Sequence, residues 1–392
     1  MGKPLVFEKP LGMRDILPES LAKQRHLEQG LRQKIEKWGY EEIATPSVEF
    51  YDTVGAASAT LTDRMFKLLD KQGHTLILRP EMTAPIARVV SSLYKEVPVP
   101  IRLYYQTNVF RAQQKEAGRN AEFFQTGVEL IGDASVDADA EAIALAVTCL
   151  QAAEVPTFKI AIGHVDFIDG LLDEIVPDQE THAQFRKFLN DRDYVGYRQL
   201  VESLTLSETD GRRLHALLGL RGGKAKIQEA YDLTVNGKAR KAVQKIASLW
   251  DALEAFGVSD HVLLDFNLLS NFDYYTGIVF EGYAADLGSP LVTGGRYDNL
   301  LEQFGRPAPS TGFAIYMDRL MQATNAKPVV KEKRLVIFYR EEEREAALKE
   351  AQRQRQNDRV VITRLLADES EVEVWKERFS DEIVILPVKE EA

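Results

Sequence analysis

Apolar positions recur at helical spacing over residues 18–38, where Leu27, Leu31, Ile35 and Trp38 share one face. Pro18 near the start and Gly39 just past the end mark the limits of this helix. The pattern then shortens to period two. YEEIATPSVEF reads as a strand, and its Pro46 places it at an edge or interface. A strand over 75–79 runs into a helix that starts near Thr83. Residues 101–132 predict two antiparallel strands joined by the polar loop KEAGRN. On the second, Phe124, Thr126 and Val128 fall on one face, and Gln125, Gly127 and Glu129 on the other. An apolar helix over 137–152 and a strand in TFKIAIGH follow.

From about 170 to 258 the chain is leucine-rich, charged and helical, which predicts an insertion between strand-rich halves. Strands return over 262–282 and 290–293. Within them SNFDYYTGIVFEGY, residues 270–283, reads as a strand broken by a bulge at Thr276-Gly277. Its tyrosines could hold a small polar ligand or could be core rings. GGRYDNLLEQFG predicts a glycine turn entering a helix, and STGFAIYMDRLMQA a strand leading into another. The expected organisation is a core over 1–322, a linker at 323–333 and a small βαβαβ domain over 334–392.

Composition narrows the function classes. The 392 residues, 45% hydrophobic and 28% charged, suit a globular chain of two or three domains. The N-terminus lacks a signal-like apolar region and no run is long enough for a membrane helix, so a cytoplasmic location and no membrane partner are expected. The lone Cys149, in AIALAVTCL, excludes an intrachain disulfide and predicts a buried small hydrophobe. Net charge is −11, which weighs against nucleic acid. The basic runs RRLHALLGLRGGKAK and KARKAVQK are interleaved with acids, so they read as solvated helix faces. None of the six histidines is spaced for zinc, and neither a Rossmann nor a P-loop glycine pattern is present. No metal and no cofactor are expected.

The inward face of the antiparallel sheet would gather Glu81, Gln125, Glu129 and Tyr275. Two carboxylates, an amide and a phenol can satisfy a small cation through charge-assisted hydrogen bonds, and an amino acid with a basic side chain suits such a set.

The segments LGMRDILPE, YEEIATPSVEF, LRPEMTA, FRAQQKEAGRNAEFFQTGVELIG, DYYTGIVFE, GGRYDNLLEQFG and GFAIYMDRL, in this order, resemble the core of the histidyl-tRNA synthetase family over residues 8–322. That resemblance implies an α+β fold of the class II aminoacyl-tRNA synthetase type. Its six- or seven-stranded antiparallel sheet is flanked by helices and dimerises through the first motif. It also implies a histidine site made of Glu81, Thr83, Gln125, Glu129, Tyr274 and Tyr275. Arg111, Arg119 and Arg319 would be residual phosphate or nucleotide contacts. Three positions depart from the family. Ser270 replaces the arginine that opens the Asp-Tyr-Tyr strand, Gln113 replaces the motif 2 carboxylate, and Ala121 replaces the second arginine of Gly-Arg-x-Arg. Adenylation rests on such preorganised charges, and losing one costs on the order of 10²–10³ in rate.

A retained histidine pocket without activation chemistry, followed by a short acidic C-terminal unit, resembles the regulatory subunit family of ATP phosphoribosyltransferase. The resemblance implies no catalysis of its own and no catalytic residues. It implies assembly with a short-form catalytic subunit, four of each in a hetero-octamer, for the first step of histidine biosynthesis. Histidine would be the feedback effector. A divergent, active histidyl-tRNA synthetase is the alternative.

Overall fold

The computed structural model describes residues 7–58, 60, 62–112, 120–176, 178–269, 274–326, 333–379 and 381–386. Contacts divide the chain into two compact units, Met1–Lys327 and Pro328–Ala392.

In the first unit, α1 (Pro18–Glu36) buries Leu27, Leu31 and Ile35, the stripe its spacing predicts. The strand expected over 40–50 is two short ones, β1 (Glu41–Glu42) and β2 (Val48–Phe50). Pro46 lies between them and cannot donate to a ladder, so the chain leaves one sheet and enters another. With β3 (Lys67–Leu69) and β4 (Thr75–Leu78), β2 forms a three-stranded sheet ordered β2-β4-β3. After α2 (Thr83–Ser92) comes the predicted hairpin, β5 (Ile101–Phe110) and β6 (Glu122–Ile131). Ser135 caps the next helix, α3 (Val136–Ala152), accepting the Ala138 N–H at 3.2 Å. Cys149 on α3 is fully buried, which pushes its thiol up to about 12.

Then follow β7 (Phe158–His164), α4 (Val165–Ile175), α5 (Gln179–Asn190), α6 (Tyr194–Ser203) and α7 (Glu208–Leu217). After β8 (Arg221–Gly222) come α8 (Lys226–Leu233), α9 (Gly237–Ala255) and β9 (Val262–Asp265). The basic side chains of this helical stretch meet acids. Arg213 reaches Glu174 at 2.6 Å, and Lys224 reaches Asp251 and Glu254 at 2.9 and 2.8 Å. The unit closes with β10 (Ile278–Ala284), β11 (Val292–Arg296), β12 (Ser310–Tyr316) and α10 (Met317–Ala323).

Among the described residues the main sheet has nine strands, ordered β1-β5-β6-β12-β11-β10-β7-β9-β8. Its inner six are antiparallel, whereas β1–β5 and β7–β9 are parallel pairs. The sheet is therefore wider than expected, extended at both edges by short strands. One face carries a large core with α1, α3 and α9, built on residues such as Tyr104, Val128, Ile162 and Phe280. On the other face Leu103, Tyr105 and Ile131 meet α2 residues Ile86 and Val90.

Two local expectations need correction. The strand read over 270–283 begins at Ile278, and Tyr274 and Tyr275 sit in the turn before it; Ser270–Asp273 lie outside the described residues. The Gly-Gly pair of GGRYD is no turn. Gly294 and Gly295 are interior to β11, and only a 3₁₀ turn, Leu301–Phe304, follows. Glycine stands there for space: a Cβ on Gly295 would lie 2.8 Å from the Tyr275 ring.

The second unit is a three-stranded parallel sheet, β13 (Leu335–Tyr339), β14 (Val361–Leu365) and β15 (Glu382–Ile385), ordered β14-β13-β15. Helices α11 (Arg344–Gln356) and α12 (Ser370–Arg378) complete it. Two apolar clusters lie about β13, whose middle residues are buried. Ala347 and Ala351 join one, and Val372 and Trp375 the other.

Candidate functional site

The sheet face opposite α3 holds a cavity lined by polar and aromatic side chains. Its walls include Glu81, Thr83, Gln125, Glu129, Tyr274 and Tyr275, so all six residues expected around an amino acid meet in one place. Arg111 lines it too.

Local structure explains the acidic end. Glu81 precedes α2, and its carboxylate accepts the backbone N–H groups of Thr83 at 2.5 Å and Ala84 at 3.1 Å. It thus occupies two otherwise unpaired donors at the helix start. Burial pushes the Glu81 carboxyl above its ordinary range, although those N–H groups oppose the shift. On β6, Glu129 projects into the same cavity. Its carboxylate accepts the Thr83 hydroxyl at 2.8 Å and the Tyr297 hydroxyl. Burial raises Glu129 to about 8, against those two hydrogen bonds and with added repulsion from Glu81.

Glycines on this face make room for the larger groups. A Cβ on Gly127 would collide with the Tyr105 phenol, and one on Gly312 with the Glu129 carboxylate. Tyr274 packs edge-on against Tyr275 at 4.9 Å and Tyr297 at 5.7 Å. This answers the earlier alternative in part: the tyrosines are packed rings, and they also form cavity wall.

Beneath the tyrosines lies a buried ion pair that sequence reading missed. Arg296 on β11 donates through Nε to both Asp139 oxygens, at 2.9 and 3.1 Å, and through Nη1 and Nη2 to the carbonyls of Asp133 and Ser135, each at 3.0 Å. Its own carbonyl accepts the Thr276 N–H at 2.8 Å, fixing the turn that carries Tyr275. The signal was present in GGRYD, which contains Arg296 and Tyr297; the partner Asp139 lies far away in sequence. Tyr105, Thr293 and Tyr316 also line the cavity and were not singled out.

The expected phosphate contacts divide. Arg111 donates to the Pro80 carbonyl at 2.9 Å and faces the cavity. Arg319 does not line it. Its guanidinium lies 4.2 Å over the Tyr316 ring and donates to the Pro290 carbonyl. Arg119 lies outside the described residues, as do Gln113 and Ser270. Ala121, the remaining departure, is fully buried, and its N–H donates to Gly12 at 2.7 Å. A Cβ on Gly12 would already lie 2.7 Å from the Ala121 Cβ. Gly12 therefore approaches Ala121 closely enough that any side chain at position 12 would collide with it.

Among the described residues no helix is long and apolar enough to cross a membrane, and no cluster of side chains fits a metal.

A family model described as Histidyl-tRNA synthetase matches residues 12–320. ATP phosphoribosyltransferase regulatory subunits are similar over nearly the whole chain. That of Halalkalibacterium halodurans is 45% identical over 98% of this chain and 97% of its own. That of Geobacillus thermodenitrificans is 46% identical over 98% of both. A crystal structure described as an ATP phosphoribosyltransferase regulatory subunit/histidyl-tRNA synthetase from Bacillus halodurans superposes with a TM-score of 0.91 at 44% identity, covering 98% of this chain and 100% of that one. Histidyl-tRNA synthetase from Nostoc shares the fold, with a TM-score of 0.78 at 19% identity over 95% of this chain and 90% of that one.

Proposed function

The chain belongs to the ATP phosphoribosyltransferase regulatory subunit family, with a histidyl-tRNA synthetase-like core, and from that premise we propose that it senses histidine for a short-form catalytic subunit. The two assemble as a hetero-oligomer, four of each, for the first step of histidine biosynthesis. The observation that carries this reading is the cavity that joins Glu81, Thr83, Gln125, Glu129, Tyr274 and Tyr275 with Arg111. The carboxylates meet the ligand's ammonium and imidazole N–H groups, and Arg111 meets its carboxylate. Histidine is here a signal. The replacement of charged family positions by Ser270, Gln113 and Ala121 supports the loss of adenylation.

Feedback is a coupling free energy. Tenfold inhibition needs histidine to favour the inactive assembly by about 1.4 kcal/mol. A homodimer through the core has support in the small sheet. Phe50 and Leu68 lie in register on either side of Leu76, and Val48 lies opposite Leu78; Val48, Phe50 and Leu68 are exposed. Such an apolar face suits a second copy.

The test is to mix the purified chain with a short-form catalytic subunit, with and without histidine. Transferase activity should arise on mixing and fall when histidine is added. Neither complex nor activity on mixing would falsify the assignment, and histidine-dependent ATP–pyrophosphate exchange by the chain alone would restore the synthetase alternative.

The raised Glu129 adds a pH prediction. Between about pH 6.5, where free imidazole becomes neutral, and pH 8, the empty site holds a proton that the ligand must displace. Affinity for histidine should therefore climb with pH across this window, by up to about tenfold per unit. Calorimetry in buffers of different ionisation enthalpy should show a proton released. The unliganded fold should behave oppositely. Because Glu129 is raised on folding, its contribution is complete below the unfolded value of 4.5 and declines as pH rises towards 8. Glu129→Gln should flatten that decline in thermal melts.

A further inference from the structure

Strand register gives the cavity a direction. Gly312 lies opposite Glu129, Ala314 opposite Gly127 and Tyr316 opposite Gln125. Tyr316 thus stands four residues, about 13 Å, along the strand from the level of Glu129. The acidic groups occupy one end. Near the other is Arg111, the one basic side chain among the described residues lining the cavity.

Tyr316 is held there from several sides. Its ring packs on Phe123 at 5.8 Å, and Arg319 covers it at 4.2 Å. Its hydroxyl lies 3.4 Å from Thr293 Oγ1 and is bonded by Arg111, whose guanidinium in turn lies 5.2 Å over Phe123. The backbone N–H of Tyr316 donates to Leu291 at 2.9 Å, and only 8% of the residue is exposed. Burial alone would raise the phenol, yet Arg111, aided by Thr293 and Arg319, brings it below its ordinary value. Both arginines expected at a phosphate, and still described, are therefore engaged with one tyrosine. A ring so fixed is part of the wall, and swinging it out would break two cation contacts.

We propose that Tyr316 is the stop at the carboxylate end of the cavity. It admits a free amino acid to Arg111 and excludes amino acids extended at their carboxyl group, such as acyl-adenylates. The inference rests on the reading of the cavity as a histidine site. It assigns the exclusion to a side chain that fills space, in addition to any loss of reactive charges.

The experiment compares two ligands by titration calorimetry on the full chain: L-histidine, and a stable analogue with its histidyl group joined through sulfamate to adenosine. The native chain should prefer histidine by about 100-fold or more. In Tyr316→Ala that preference should shrink by at least about tenfold, whereas Tyr316→Phe, which keeps the ring under Arg319, should retain it. If Tyr316→Ala folds poorly, Arg319→Met releases the same ring and should shrink the preference likewise. The idea is overturned if the native chain binds both ligands equally, or if neither opening variant narrows the gap. Should the native chain fail to bind histidine itself, the histidine reading falls and the stop falls with it, an outcome visible before any variant is made.

Discussion

Glu129→Ala, assembled with a short-form catalytic subunit, will activate that partner and lose its response to histidine. The concentration for half-inhibition should rise by at least about 30-fold, since truncating one member of a buried, charged hydrogen-bonded pair costs about 2 kcal/mol or more. The geometry explains why the two effects separate. Glu129 is 3% exposed and turned into the cavity, so it offers nothing to a partner surface. It is also the acceptor shared by Thr83 and Tyr297, so removing it strips the ligand's partner and loosens two wall residues together. Tyr275→Ala should act in the same direction. Calorimetry on the isolated variants and inhibition curves on the assembled ones measure the two halves separately. Native histidine affinity in both variants would remove these residues from the binding site.

Much of this site is legible in the sequence because a β-hairpin has a rigid two-residue period. Once Gln125, Gly127 and Glu129 are placed on one face of β6, a single partner strand fixes what they meet, and Glu81 joins them from the step before α2, whereas Thr83 and Tyr274 enter only through the family resemblance. Where the period fails, so does the reading. Tyr274 and Tyr275 alternate like strand residues, yet they sit in a turn whose shape is set by a hydrogen bond from Thr276 to Arg296, 20 residues away. The glycines of GGRYD look like a turn because glycine usually marks one. Here they are vacant positions under the rings of Tyr275 and Phe280, a reason that exists only once the sheet is assembled. Tyr316 was invisible as a site residue for a similar reason: its role comes from Arg111, Phe123 and Arg319, which reach it from two separate parts of the chain.

The largest loss of stability should come from Arg296→Met. The guanidinium is 4% exposed, and it is the partner of an equally hidden carboxylate, Asp139 at 3%. Burial would push Asp139 up and does so on balance, with Arg296 opposing it, so removing the arginine leaves a carboxylate with little solvent and no cation at its side. Breaking one partner of such a pair costs about 3–5 kcal/mol, whereas replacing both with apolar groups of similar volume is often neutral. Arg296→Met and Asp139→Leu should therefore each lower the unfolding free energy by several kcal/mol in denaturant titrations, and the double variant should recover most of it. Histidine affinity should not follow stability. The double variant lacks the guanidinium that donates to Asp298, next to Tyr297 in the cavity wall, so it should fold well and still bind weakly. A double variant that regains both would show that the pair serves stability alone. One that regains neither would mean that Asp139 and Arg296 are not acting as a pair.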